Sequence, residues 1–406
     1  LRFPITSRTF SRRHHEKGKK SETLWQGSFQ IILDPTSEIL GEFPRRVQLG
    51  DSIGQNLGQK ILAPANGIAE LIQTTESSYF KISQDGNLEQ KPEYQELIFD
   101  LNTFLNHIEK NAIYSLDFPG QSISRYLSSF NSTQDSELVL SPHANRSSPN
   151  YPNILQKEFA QEIESLSNLL QKIFPNKKIH NFLSPNSNKT IKKYSFPLSS
   201  PKYFLYDFMK KKVLGSNPED EKKMFFMGGE TIWHLIRALF YDIPFTKRHL
   251  SVECVDRYGR IDGKDRYFLI SNGQNFRFLD KIFYKKYKNL SLNTVFEPAR
   301  ILRRDQDYYF NIFLDSNLIL SVNQPKKNSE LPCTECNDCN SFCPTQADPQ
   351  KLLAKRGGFK LDQCIECGLC SFYCPSGIDF RSRIQEKFST STFILSTSKE
   401  KTLDKR

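Results

Sequence analysis

The sequence predicts an α+β chain of several domains that ends in a small, helical, cysteine-rich one. Three observations carry this expectation. The chain has 406 residues, room for two to four domains at about 150 residues each. Its first part alternates short apolar runs with Gly and Pro, whereas later segments repeat apolar residues at helical spacing. Eight of its nine cysteines lie between positions 333 and 374.

Composition narrows the class. Hydrophobic residues make up 37% and no run approaches about 18 consecutive apolar positions, which excludes a polytopic membrane protein. The 32 Phe and 16 Tyr are core builders, which excludes a fully disordered chain. Lys and Arg number 56 against 45 acids, a net charge of +11. Such a balance favours acidic partners: anionic lipid, nucleic acid or an acidic protein face. No block of five like charges occurs, so charge spread over solvated faces is the simpler account. Leu1 is not Met, which points to a processed, trimmed or alternatively initiated chain. No apolar run of secretory type follows the basic residues 1–20, and Glu16 and Glu22 fit a transit peptide poorly.

Taken in order, residues 1–25 form a basic N-terminal segment and 26–90 a domain of short strands. The stretch Gly50-Asp51 through Gly58-Gln59 to Ala63-Pro64 and Gly67-Ile68 resembles a biotinyl/lipoyl-type barrel-sandwich domain, its glycines serving hairpin turns. The hairpin that would present a carrier lysine is absent and Lys60 lies at a strand edge, so the domain reads as structure rather than a swinging arm. Residues 92–110 predict a helix, with Leu97, Ile98, Leu101, Phe104, Leu105 and Ile108 on one face. Residues 121–152 are Ser/Asn/Pro-rich and predict a loop with a short strand at Leu138–Leu140. A second helix is expected over 153–175, a linker or long loop over 183–203, and a helix from Thr231 to Phe240 behind Gly228-Gly229. Strands are expected at 249–256, 266–271 and 306–322, with Cys254 as a small buried hydrophobe. Asp348 to Arg356 predicts a short helix ending at Gly357-Gly358, and residues 389–406 a flexible tail.

The cysteines supply the chemistry. Cys333, Cys336, Cys339 and Cys343-Pro344 read C-x2-C-x2-C-x3-C-P, and Cys364, Cys367, Cys370 and Cys374-Pro375 repeat it 31 positions later. Clustered thiols at short fixed spacing indicate metal rather than disulfides. Three thiolates at these intervals wrap one face of a cubane, and the fourth points away as the chain leaves the loop. In two-cluster ferredoxins that fourth cysteine ligates the other cluster. By that logic one [4Fe–4S] cluster takes Cys333, Cys336, Cys339 and Cys374, and the second takes Cys364, Cys367, Cys370 and Cys343. Pro344 and Pro375 set the exit direction, and Gly368 lets backbone approach the cubane. Four-cysteine zinc is the competing account, but zinc pairs two knuckles around a longer spacer and does not need four cysteines per run. With every iron ligated, the clusters should carry electrons rather than bind substrate. Eight thiolates and two oxidised cores would lower +11 to about +7. Lys351, Lys355 and Arg356 either raise the cluster potentials or form a solvated helix face.

From Arg8-Thr9-Phe10 to about Ile384 the chain resembles RnfC, the peripheral component of the Rnf electron-transport complexes, itself similar to the NADH-binding subunit of respiratory complex I. Asp362-Gln363-Cys364 to Cys367-Gly368 and Cys374-Pro375-Ser376 match that family closely, and the Gly50 to Gly67 pattern moderately. The resemblance implies a barrel-sandwich hybrid over 26–90, a degenerate Rossmann-like α/β domain over 91–245, a β-grasp (SLBB-like) domain over 246–325 and a helical two-cluster ferredoxin domain over 326–388. It also implies NADH feeding FMN, then cubanes, then membrane subunits. The family's glycine-rich flavin loop, G-L-G-G-A-G-F-P-T, corresponds here to Tyr114-Ser115-Leu116-Asp117-Phe118-Pro119-Gly120. Leu and Phe side chains keep backbone amides from a phosphate, and Asp117 would repel it. The family's N-G-A-E-C-E-P-Y appears as Ser141 to Ser148 without either acid. No flavin or NADH residue carries over; His143 and Arg146 are the notable side chains there and read as solvated loop residues.

The leading expectation is an electron relay between a soluble donor, a ferredoxin or flavoprotein, and membrane subunits of an Rnf-like complex. It would be cytoplasmic and peripheral, on the cytoplasmic face of the inner membrane. The alternatives are a working NADH:acceptor oxidoreductase with FMN, and a nucleic-acid-binding iron–sulfur protein. The second alternative lacks any helix-turn-helix or dense basic stripe.

Overall fold

The computed structural model describes residues 28–56, 59–75, 77–85, 93–94, 100–117, 122–143, 151–183, 224–255, 267–276, 289–294, 300–302, 307–313, 315–321, 330–341, 343, 346–353, 358–360, 364, 369–372, 374–380 and 383–384. It is a mixed α/β protein. The N-terminal segment, the linker over 184–203 and the tail lie outside the described residues.

Among the described residues the first elements are seven strands: β1 (Ser28–Ile32), β2 (Glu38–Ile39), β3 (Arg45–Val47), β4 (Ser52–Asn56), β5 (Gln59–Leu62), β6 (Gly67–Gln73) and β7 (Ser78–Gln84). They form two antiparallel sheets, β1-β7-β6-β3 and β2-β4-β5. Alternation along β7 buries Phe80 and Ile82 completely, and both sheets fill one core with Phe29, Ile31, Ile53 and Ile61. Among the described residues these sheets close into no barrel. Gly67 is not a turn residue as expected; it is the first residue of β6, where a Cβ would collide with the Ser83 carbonyl. Lys60 is immobilised: its backbone N–H donates to Tyr114 Oη at 2.6 Å and its Nζ to the Glu109 carbonyl at 3.1 Å.

The next unit holds helices α1 (Leu101–Lys110), α2 (Ile123–Ser132), α3 (Tyr151–Glu158), α4 (Ala160–Ile173) and α5 (Gly229–Tyr241). Their strands are β8 (Glu137–Leu140), β9 (Lys178–Asn181) and β10 (Met224–Met227), in the parallel order β10-β8-β9. Helix α1 begins later than expected because Asp100 caps it, accepting from Thr103 N–H at 2.8 Å; Leu97 and Ile98 lie outside the described residues. The loop expected over 121–152 is instead helical at α2. Ile123, Tyr126, Leu127 and Phe130 recur at helical spacing and are all buried, which outweighs the Ser and Asn between them. The helix expected over 153–175 is two, broken at Phe159, whose backbone (φ −139°, ψ 36°) leaves the helical region.

Strands β11 (Lys247–Val255), β12 (Tyr267–Ser271), β13 (Asn289–Thr294), β14 (Arg300–Leu302) and β15 (Asp315–Ser321) form a mixed sheet, β12-β11-β15-β13-β14. The strand expected over 306–322 is only β15, preceded by a bridge between Asn275 and Tyr309; β13 and β14 were not anticipated as strands. Leu250, Val252, Ile270 and Phe310 join the helices in the largest core. The C-terminal segment has its own small core and, among the described residues, three short pieces: α6 (Asp338–Ser341), a 3-10 turn (Pro349–Leu352) and α7 (Leu369–Phe372). Of the helix expected over 348–356 the described residues form that single turn, begun at left-handed Asp348 (φ 61°), with Leu353 N–H bonded back to Gln350; residues 354–357 lie outside the described residues. Among the described residues no helix is long and apolar enough to cross a membrane.

Candidate metal centre

The 31-residue repeat in the sequence is a repeat of backbone geometry. Helix α6 maps onto α7 residue for residue. Cys339 and Cys370, at equivalent positions, are each 7% exposed. Cys343 N–H donates to the Asn340 carbonyl (3.1 Å) and Cys374 N–H to the Ser371 carbonyl (3.3 Å). Past each Cys-Pro, the chain turns through a left-handed residue, Gln346 (φ 56°) or Gly377 (φ 66°). The next amide then donates to the cysteine sulfur: Ala347 N–H to Cys343 Sγ at 3.3 Å, Ile378 N–H to Cys374 Sγ at 3.4 Å. A third such bond runs from Glu335 N–H to Cys333 Sγ at 3.4 Å. Amides aimed at sulfur favour the thiolate, the form that binds iron.

The fold also brings the end of one run against the other. Burial pushes the Cys339 thiol up; a bond at Asn340 opposes this, while the like charges of Cys336, Cys333 and Cys374 add to it. So Cys374, from the second run, lies within electrostatic reach of Cys339 of the first. Thiolates so placed repel one another, and a cationic core relieves that repulsion by binding all of them deprotonated. The donor set therefore suits an iron–sulfur cluster. Cys364 and Cys374 pack against the small core of Cys339, Cys370, Ile378, Phe380 and Ile384. Cys333 and Cys336 are exposed, Cys343 half-buried. Cys367, Pro344 and Gly368 lie outside the described residues. Among the described residues no group of three or more His, Cys, Asp or Glu is gathered as a single ion would require. Lys351 pairs with Asp348 at 2.6 Å, so its charge is partly spent within its own turn.

The segment is closed on itself. Leu331 N–H donates to the Ser376 carbonyl (2.9 Å), Ser376 Oγ to the Pro332 carbonyl (3.0 Å), and Glu330 accepts from Asp379 N–H (2.9 Å) and Arg383 (2.6 Å). Asn340 and Gln350 exchange two bonds, holding the 3-10 turn against the first run.

A second set of chemistry-bearing residues lies in the parallel-sheet unit and on the adjoining strand β11, and is not legible as a set in the sequence. Asp117 is buried and accepts from Gly228 N–H (2.7 Å) and Thr231 Oγ (2.8 Å) through one oxygen. Burial raises its pKa to about 7, against the opposing effect of those two bonds. Arg248 makes two bonds to Glu230 (2.7 and 3.0 Å) and one to the Ile312 carbonyl (3.0 Å), all buried. His249 Nδ1 meets Tyr151 Oη at 3.0 Å, and burial lowers its pKa to about 4. His143 is half-buried rather than a solvated loop residue, its carbonyl accepting from Gly229 N–H at 2.8 Å; Arg146 lies outside the described residues. Cys254 lies on β11 opposite Leu320, and its side chain lies outside the described residues.

Residues 325–386 match the family of 4Fe-4S dicluster domains. No curated protein matches the chain in sequence. The crystal structure of an NAD+-reducing [NiFe]-hydrogenase in the air-oxidised state aligns with 71% of this chain at 8% identity and a TM-score of 0.41. This chain covers 61% of that hydrogenase chain, about three fifths of its length. The C-terminal segment is an iron–sulfur domain of the 4Fe–4S kind.

Proposed function

We propose that the chain is an electron relay holding two [4Fe–4S] clusters, one on Cys333, Cys336, Cys339 and Cys374, the other on Cys364, Cys367, Cys370 and Cys343. The observation that carries this reading is that Cys374 packs against the small core holding Cys339, while Ser376 is bonded to Leu331 and Pro332 just before the first run. Each cluster, when bound, takes up and gives back single electrons. The protein's own contribution is to fix the thiolates, bond amides to their sulfurs and exclude water with Ile378, Phe380 and Ile384. Cys333 and Cys336 leave one side of the set at the surface, where a redox partner can come close.

In the finer reading the chain works as RnfC does in an Rnf-like complex. It stands peripherally at the cytoplasmic face of the inner membrane, between a ferredoxin or flavoprotein and membrane subunits. Its domains then follow the boundaries at 26–90, 91–245, 246–325 and 326–388, the first lipoyl-like, the second a degenerate Rossmann-like body and the third β-grasp-like. A net charge near +7 in the loaded protein supports docking on an acidic face.

Anaerobic reconstitution tests the proposal. About eight irons and eight sulfides per chain are expected, with spectra of two interacting reduced cubanes after dithionite. NADH with added FMN should leave the cluster absorbance unbleached. Zinc-only binding, or a single cluster, defeats the relay reading; bleaching by NADH makes the chain a dehydrogenase instead.

A further inference from the structure

In an open parallel sheet, ligands bind outside the carboxyl ends of the strands, where the strand order reverses. The order β10-β8-β9 reverses beside β8: the chain leaves β8 for β9 and returns on its other side as β10. At that edge β8 runs into Ser141-Pro142-His143, and β10 runs into Gly228-Gly229 at the start of the thirteen-residue helix α5. A helix start with exposed amides is where a phosphate or carboxylate would sit.

Here that place is taken by the protein itself. The Asp117 carboxylate accepts the Gly228 amide and the Thr231 hydroxyl, as a bound oxyanion would. The Leu116 amide donates to the same hydroxyl at 3.2 Å, holding the Asp117 segment in place. A Cβ on residue 228 would collide with Asp117 and come within 2.8 Å of the His143 carbonyl; one on 229 would collide with Pro142. The paired glycines thus admit the protein's own carboxylate and carbonyls. Ser141 N–H to the Met227 carbonyl (3.0 Å) and Gly229 N–H to the His143 carbonyl (2.8 Å) draw the two strand ends together.

We infer that Asp117 is a built-in anion that closes the ligand crevice of the parallel sheet to the phosphates of flavins and dinucleotides. Electrons must then arrive from a separate donor protein. The inference sharpens the relay reading but stands on different residues, so either can fail alone.

The test follows the Gly228 and Gly229 amides by NMR at pH 8 in the cluster-loaded full chain, with millimolar inorganic phosphate, FMN or NADH. In the wild type none of the three should shift them. Asp117→Ser, which empties the place, should make both amides respond to phosphate. Asp117→Asn, whose amide oxygen can still accept both bonds, should stay silent. Any response in the wild type overturns the inference, as does silence in a folded Asp117→Ser chain. Should that variant not fold, Asp117→Gly replaces it under the same criterion. Iron content and reduced spectra, read on the same samples, report on the relay and should be equal in all variants.

Discussion

The cysteine segment and the parallel-sheet unit both gather ionisable side chains, but they settle their charges in opposite ways. In the parallel-sheet unit and the adjoining β11 the charges of Asp117, Glu230 and Arg248 meet groups of the protein: carboxylate to amide and hydroxyl, guanidinium to carboxylate and carbonyl. In the cysteine segment no counter-charge is described for Cys339: burial opposes its ionisation, and the like charges of Cys336, Cys333 and Cys374 add to that. The difference teaches where to look for a bound group. A buried charge with an internal partner is architecture, whereas like charges held together by the fold require something of opposite sign.

The sharpest way to break this contrast is Cys374→Ser. If Cys374 serves the first run, the variant should lose about half of its iron and one of two reduced-cluster signals, matching the signal lost with Cys333→Ser. Loss of the Cys364→Ser signal instead would reverse the cross-ligation. On the other side, Glu230→Ala leaves Arg248 buried and uncompensated, which should destabilise the body by about 3–5 kcal/mol in urea unfolding. The paired exchange Glu230→Leu with Arg248→Met should recover most of it. An equal loss in both would show that packing, not charge, is at stake.

Asp117 sharpens the comparison through pH. Its folded pKa, about 7, lies above the unfolded value of 3.8, so the folded state binds the proton more tightly. The contribution of Asp117 to stability is then fullest below pH 4, falls by a few kcal/mol as pH rises toward 7, and is level above that. Asp117→Asn should flatten this slope; an unchanged slope would move its origin elsewhere. Gly228→Ala should cost about 1–3 kcal/mol from overpacking against Asp117. The smallest effect is expected for Lys60→Ala: below about 1 kcal/mol in stability and none on cluster reduction, because Lys60 only ties the first sheets to α1. A loss of reduction there would restore a carrier role to the lysine.

How much is legible in the sequence follows from how local each signal is. The two cysteine runs are local motifs, and their spacing alone predicts that one unit is repeated, though not that each copy carries a helical turn, α6 and α7. The approach of Cys374 to the first run is legible too, since a fourth thiol before proline must leave its own loop. Helix α2 is hidden because its buried face, Ile123 to Phe130, is diluted by serines that ordinarily mark loops. The break at Phe159 has no Gly or Pro to announce it. Asp117 is recognisable as hostile to phosphate, yet its partner Gly228, the cap of α5, lies 111 positions later, and no spacing rule spans that distance. Gly67 reads as a turn by propensity, whereas a carbonyl sixteen residues on decides its identity.

The bonds joining Leu331 and Pro332 to Ser376, and Glu330 to Asp379 and Arg383, put the first and last turns of the cysteine segment side by side. A strand of chain that goes in and comes out through one doorway behaves as a cartridge. It needs a single point of attachment on its host, and neither end must cross the host's interior. Such a unit can be gained, lost or exchanged between unrelated bodies without re-threading them. The ancestry of the electron-carrying part and that of the body bearing it are thereby free to differ.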